Sequence, residues 1–210
     1  MPIDETRADW VNHCSIRTFS GKDFFLHGTD PREIDIDDIA HALSMVTRFT
    51  GHISRPYSVA EHSILVMMIV KHMGGSIDNL LQALMHDATE AYLSDIAAPF
   101  KDELVNYRTL EGRVAARIFE RFDIDPNFPK IIKDADWIAL FVEAISLAPR
   151  SQPEDWVCWD KYGDQAKQWL EQNGAIPQDL LHPLEMKQMF LNVFDALIDE
   201  RADENVRQLI

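Results

Sequence analysis

The chain has 210 residues, 46% of them hydrophobic and 26% charged, and a formal charge of -15 from 20 Lys+Arg against 35 Asp+Glu. That length supports one domain with a substantial core. The charge argues against a long nucleic-acid groove, which needs a positive face, but leaves room for a small phosphorylated ligand held by a few local cations.

Residues 1–31 are the least regular part. The acidic, polar N-terminus does not read as a signal peptide. Phe19, Phe24 and Phe25 alternate with Gly21 and Gly28, which allows a small hairpin in this N-terminal arm. His13 and His27 fall here and read as surface or hydrogen-bonded histidines. Cys14 and Cys158 lie far apart and form no CxxC element, so a reducing cytoplasm is the default compartment.

The first helix is expected over residues 36–49, with Ile36, Ile39, Ala40, Leu43 and Val46 as its apolar stripe. Asp35, Asp37 and Asp38 put negative charge at its N-terminus, where the helix dipole favours it. Gly51 is a plausible stop, and Arg55-Pro56 forces an extended or turn segment. A second helix starts at Ser58, which has capping-box spacing to Glu61. It carries His62 and then the run 64–70, apolar all round, so it should be central. That run is too short to span a membrane.

A third helix is expected over 78–92. Leu80, Leu81, Leu84 and Met85 face a core, and His86, Asp87 and Glu90 are set into it, with Glu90 one turn beyond His86. A loop, 94–101, ends in Lys101. Further helices are expected over 102–122, 130–147, 162–172 and 182–198. Residues 149–160 form a loop that packs Trp156 and Trp159, and the polar tail after Asp199 frays.

Three of these helices bring metal-competent groups to apolar surroundings: His62, then His86-Asp87, then Asp134 or Asp136. Burying them costs solvation energy that an ion, a hydrogen-bond network or catalysis can recover. A mixed N/O set suits Mn, Fe, Co, Zn or Mg better than a thiolate-selective ion. The plainer alternative is a satisfied core histidine, since a lone His-Asp pair arises often by chance. The coincidence of three helices favours the metal. Arg48, Lys101 and Lys133 could hold a phosphate chain, although each could equally be a solvated surface charge. There is no phosphate-cradling glycine loop, no G-x-S-x-G elbow and no zinc deaminase pattern.

The order His62, His86-Asp87, Asp136 resembles the signature of the HD-domain metal phosphohydrolases. Tyr57-Ser58-Val59-Ala60-Glu61-His62-Ser63, His86-Asp87-Ala88-Thr89-Glu90-Ala91-Tyr92, and Asp95 through Pro99 to Lys101 are similar to bacterial 5'-deoxynucleotidases. Asp38-Ile39-Ala40-His41-Ala42-Leu43-Ser44, with Arg48-Phe49-x-Gly51-His52, looks more like the phage branch that includes dATP triphosphohydrolases. The resemblance covers about residues 36–147 of one domain.

It implies an all-α HD-domain bundle. It makes His62, His86, Asp87 and Asp136 the metal ligands, Asp136 being chosen over Asp134 because the motif is an Ala-Asp pair after a Lys. It also implies Glu90 as the residue that positions or activates water, and Asp95 as acid or sugar contact. Arg48, Lys101 and Lys133 would hold phosphates, with Phe49 and Pro99 bordering the base. Phe49 stands where that branch often has Trp, which leaves the base preference open. His41 and His52 receive no role.

The expected activity is dATP hydrolysis to deoxyadenosine and triphosphate. The alternatives are a 5'-deoxynucleoside monophosphatase of broader base range and a non-catalytic nucleotide-binding domain. The implied partners are a deoxynucleotide and further copies of the chain, as a dimer or hexamer, in the cytoplasm (the host's, if phage-encoded). No nucleic acid or membrane is implied.

Overall fold

A computed structural model describes residues 15–148 and 150–208, and His13 and Cys14 lie outside them. The described chain is all-α apart from one hairpin. β1 (Ser15–Arg17) pairs antiparallel with β2 (Asp23–Phe25), and Ile16 stands opposite Phe24. Phe24 turns into the core and stacks on Tyr92, with ring centroids 4.0 Å apart. Phe19, at the turn, is exposed and lies on the His41 ring.

The first helix, α1 (Ile36–Met45), is shorter than the apolar stripe predicts. Val46 turns extended, and the backbone finds partners elsewhere: the Val59 N–H donates to Val46 O at 3.0 Å and the Arg48 N–H to Tyr57 O at 2.8 Å. This short pairing fixes Arg48 beside the start of the next helix, α2 (Val59–His72). There the predicted capping box is present, with both Ser58 and Glu61 taking part, and Glu61 is held in turn by Arg55 at 2.8 Å. His62 therefore sits in a first turn fixed from outside the helix.

α2 packs against α1, α3 (Ile77–Met85), α7 (Lys130–Leu147) and α9 (Pro183–Gln208), the central position its apolar run predicts. It ends where Gly74 adopts φ +80° and the Gly75 N–H reaches back to Val70 O, a turn that disfavours a side chain.

Three expectations need correction. The helix predicted over 78–92 breaks after Met85 and resumes only as α4 (Glu90–Leu93). Across the break the N–H groups of Ala88 and Glu90 bond three residues back, to Met85 O and Asp87 O, so the turn is tightened. The helix predicted over 102–122 starts later. A short α5 (Ala98–Lys101) lies in the predicted loop, and α6 (Tyr107–Phe122) begins only after Asn106, whose φ of 68° interrupts a right-handed helix. The tail after Asp199 does not fray within the described residues: α9 continues to Gln208, and Arg201 ties it down by donating to the Asp123 and Phe122 carbonyls.

α7 matches its predicted span, and α8 (Trp159–Asn173) starts slightly early. Phe141 of α7 is fully buried against Trp159, ring to ring at 5.1 Å and edge-on, with Trp156 further off. Among the described residues no helix is long and apolar enough to cross a membrane.

Candidate metal centre

Three elements converge where the sequence predicts. His62 comes from the first turn of α2, His86 and Asp87 from the tightened turn after α3, and Asp136 from the second turn of α7. His62, His86 and Asp87 form a group that could hold a metal ion, with one ligand atom from each lying within 4.8 Å of the others. Asp136 joins them, its Oδ1 3.2 Å from His62 Nε2 and 3.9 Å from His86 Nε2. Asp134, the other candidate, points away and accepts from Tyr162 OH at 2.6 Å.

The two rings decide what kind of site this is. His86 Nδ1 lies 2.7 Å from the Ala83 carbonyl, which can only accept, so this nitrogen carries a proton. His62 Nδ1 donates to the Glu143 carboxylate at 2.6 Å. Each ring is thus oriented by its Nδ1, and the two Nε2 atoms face each other at 3.3 Å. As neutral rings they would direct two lone pairs at one point, which needs a cation or a proton between them. Asp87 Oδ2 lies 3.2 Å from His86 Nε2 and 3.5 Å from His62 Nε2. Donors bound to one ion at about 2.0–2.2 Å sit about 3–3.6 Å apart. Most of these separations fall in that range, so the residues fit a divalent ion.

The same carboxylates that would hold a cation also favour protonation of the rings. Burial opposes a charged His86 ring, but Asp87 and Asp136 outweigh it and raise its pKa to about 9. His62 is also raised: burial and Arg48 oppose its charge, while Glu143 and Asp136 prevail. Burial would raise Asp87, yet His86, His62 and Arg48 hold it far below the usual carboxylate range.

No family model matches the chain. The chain is 42% identical over 132 residues to YfdR of Escherichia coli, an uncharacterized protein, and the match takes in 63% of this chain and 71% of YfdR. The chain belongs to the YfdR family. An uncharacterized protein of Rhodobacter capsulatus is 35% identical over 147 residues, covering 66% of this chain and 75% of that protein. The chemistry of this YfdR-family chain is read from its own residues.

Around the four candidate ligands the predicted residues divide. Glu90 is buried beside Asp87, and its Oε2 makes no hydrogen bond among the described residues. Burial, with Asp87 and Asp95 nearby, pushes its pKa up to about 9 in the metal-free chain, against the pull of Lys101 and Arg48. Asp95 is half-buried and raised for the same first reason. Lys101 reaches Glu90 at 3.4 Å and, more closely, Glu111 at 3.0 Å. Arg48 Nη1 is 3.6 Å from Asp87 Oδ2.

Phe49 is half-buried, its ring 5.6 Å below the Arg48 guanidinium. Its backbone begins a strained run, since Phe49, Thr50 and Gly51 have φ of 56°, 51° and 78°. Two predicted residues are not drawn into the cluster. Lys133 is exposed and makes no ion pair among the described residues, and Pro99 is exposed at the start of α5. His52 is exposed too.

Sequence reading missed Glu143, which is fully buried and bonds both His62 and Arg48. The signal was present: Glu143 lies seven residues after Asp136, two turns on and on the same face of an apolar helix. It also missed Glu111, whose partner Lys101 lies across the break between α5 and α6.

Proposed function

We propose that this YfdR-family chain is an HD-type metal-dependent phosphohydrolase acting on deoxynucleotides, with dATP hydrolysis to deoxyadenosine and triphosphate as the leading reaction. The observation that carries the reading is the pair of opposed Nε2 atoms, each ring oriented by its Nδ1, with Asp87 and Asp136 closing around them. A divalent ion held by His62, His86, Asp87 and Asp136, of the Mn, Fe, Co, Zn or Mg type, would polarise a phosphoryl oxygen and acidify water.

The chain's own groups supply the rest. Glu90, whose Oε2 makes no hydrogen bond among the described residues, would take the proton of the attacking water once a bound cation favours its ionised form. Asp95, with its raised pKa, would give a proton to the 5' oxygen as the P–O bond breaks. Arg48 and Lys101 are the cations nearest these groups and would hold phosphate oxygens. Most of the rate would come from positioning and charge, as in other phosphoryl transfers. Phe49, whose ring lies under the Arg48 guanidinium, would border the base.

One observation favours a second reading, a 5'-deoxynucleoside monophosphatase. Arg48 is already engaged by Asp87 and Glu143, and Lys101 by Glu90 and Glu111. Four carboxylates around two cations leave less positive charge for a triphosphate than for one phosphate. Product analysis with dATP and dAMP separates the two, as triphosphate release or as inorganic phosphate release.

The test of the common mechanism is Glu90→Gln in purified protein with Mn2+ or Co2+. Turnover should fall about 100- to 10,000-fold, the range for losing a general base, with metal affinity retained. Wild-type turnover in that variant would remove Glu90 from the chemistry.

A further inference from the structure

One buried carboxylate holds both the metal side and the phosphate side of the site. Glu143 has no exposed surface and sits in an apolar stretch of α7, where an unpaired charge would be strongly disfavoured. Both of its oxygens are engaged. Oε1 accepts from His62 Nδ1 at 2.6 Å, and Oε2 accepts from Arg48 Nε at 3.3 Å. Arg48 then returns to the cluster through Nη1, 3.6 Å from Asp87 Oδ2, and Asp87 Oδ2 lies 3.5 Å from His62 Nε2. The four groups close a ring, in which Glu143 and His62 are both fully buried.

We propose that Glu143 is a positioning residue: its single carboxylate fixes the tautomer of His62 and the direction of Arg48, so metal affinity and grip on substrate phosphate both depend on a group that touches neither. The proposal rests on the phosphohydrolase reading above. The physical reason is geometric. An imidazole donating Nδ1–H to a carboxylate is a better and better-aimed ligand through Nε2. A guanidinium held at Nε by Glu143 keeps a fixed direction, with Nη1 toward Asp87 and Nη2 left to donate to a phosphate oxygen.

Glu143→Gln tests this without changing size. The amide oxygen can still accept from His62, but the amide NH2 then faces the Arg48 Nε–H, donor against donor. Four readouts follow on the full-length chain. With chelator present, the downfield NMR signal of the His62 Nδ1 proton should move strongly upfield or vanish in the variant. In calorimetry, Mn2+ affinity should fall about 10- to 100-fold, the usual loss for an outer partner of a ligand histidine, and the Co2+ absorption bands should shift. With saturating metal, KM for the nucleotide should rise more than kcat falls.

If Glu143→Gln does not fold, Glu143→Asp serves the same purpose. It keeps the charge on an arm too short to reach both partners, so a smaller loss of Mn2+ affinity is expected. A folded variant of either kind with wild-type Mn2+ affinity and an unchanged Co2+ spectrum would overturn the proposal, even if its melting temperature dropped. A wild-type chain that binds neither Mn2+ nor Co2+ would instead remove the phosphohydrolase reading, and this proposal with it.

Discussion

Metal binding at this site should depend steeply on pH, because protons must leave before an ion can enter. In the metal-free chain His86 is held at about 9 by Asp87 and Asp136, despite burial. At neutral pH only about one ring in a hundred then offers a free Nε2, which disfavours metal entry by roughly 3 kcal/mol. Affinity should therefore rise about tenfold per pH unit for one displaced proton, so about 100-fold between pH 6 and 8. The slope is steeper if His62, also raised, releases a second proton.

The stability of the metal-free chain should run the other way. A folded pKa raised above the ordinary 6.5 stabilises the charged ring. That contribution is complete below about pH 6.5 and is lost as pH climbs through about 9. Isothermal calorimetry of Mn2+ binding at several pH values, in buffers of different ionisation heat, counts the protons released. Melting temperatures with chelator should fall over the same window. Affinity that stays flat from about pH 6 to 8, with no proton release, would refute the reasoning, because the ion would then displace no proton from these rings.

Two further predictions concern how the site is held. Ser58→Ala removes one side of the capping box at the start of α2 and should cost about 1 kcal/mol, read as a lower denaturant midpoint. Ser58 is not a ligand, so metal affinity should change little, and a loss larger than that of a direct ligand variant would show that the cap does more than start the helix. Phe141→Ala deletes a fully buried ring packed on Trp159 and should cost about 3–5 kcal/mol by urea denaturation; a loss below about 1 kcal/mol would mean that the α7–α8 contact collapses without strain.

Much of the site was legible because it sits on periodic elements. His62 follows a capping box that pattern alone identifies, and α7 announces its ends and its buried face. What was not legible is where side chains compete with the backbone. The His86 ring takes the Ala83 carbonyl, which the Asp87 N–H would use in a continuing helix, and the predicted 78–92 helix breaks there. Asn106 at positive φ and the Thr47–Ser58 bridge are likewise set by tertiary context rather than by local pattern. Glu143 was hidden differently. Its spacing puts it on the Asp136 face, but a glutamate in an apolar helix reads as a solvated charge until the arginine and histidine that bury it are brought in from residues 95 and 81 positions away.

The run Phe49-Thr50-Gly51 shows how far the ring of ion pairs reaches into the backbone. A left-handed conformation costs roughly 1–2 kcal/mol for a residue with a side chain, and Phe49 and Thr50 adopt it in succession. Local bonds alone would not hold it, since Gly51 and His52 each donate only to the Arg48 and Phe49 carbonyls within the same turn. Longer-range constraints do so from both ends. On one side Arg48 is locked by the Tyr57 carbonyl, Glu143 and Asp87; on the other the Ser54 N–H donates to Leu147 O at 2.7 Å. Both ends are thus tied to α7, Glu143 through a side chain and Leu147 through the backbone. The strained segment is tied at both ends to the helix that carries Asp136, so a change in the candidate ligand cluster that moved α7 would act on the backbone that presents Phe49.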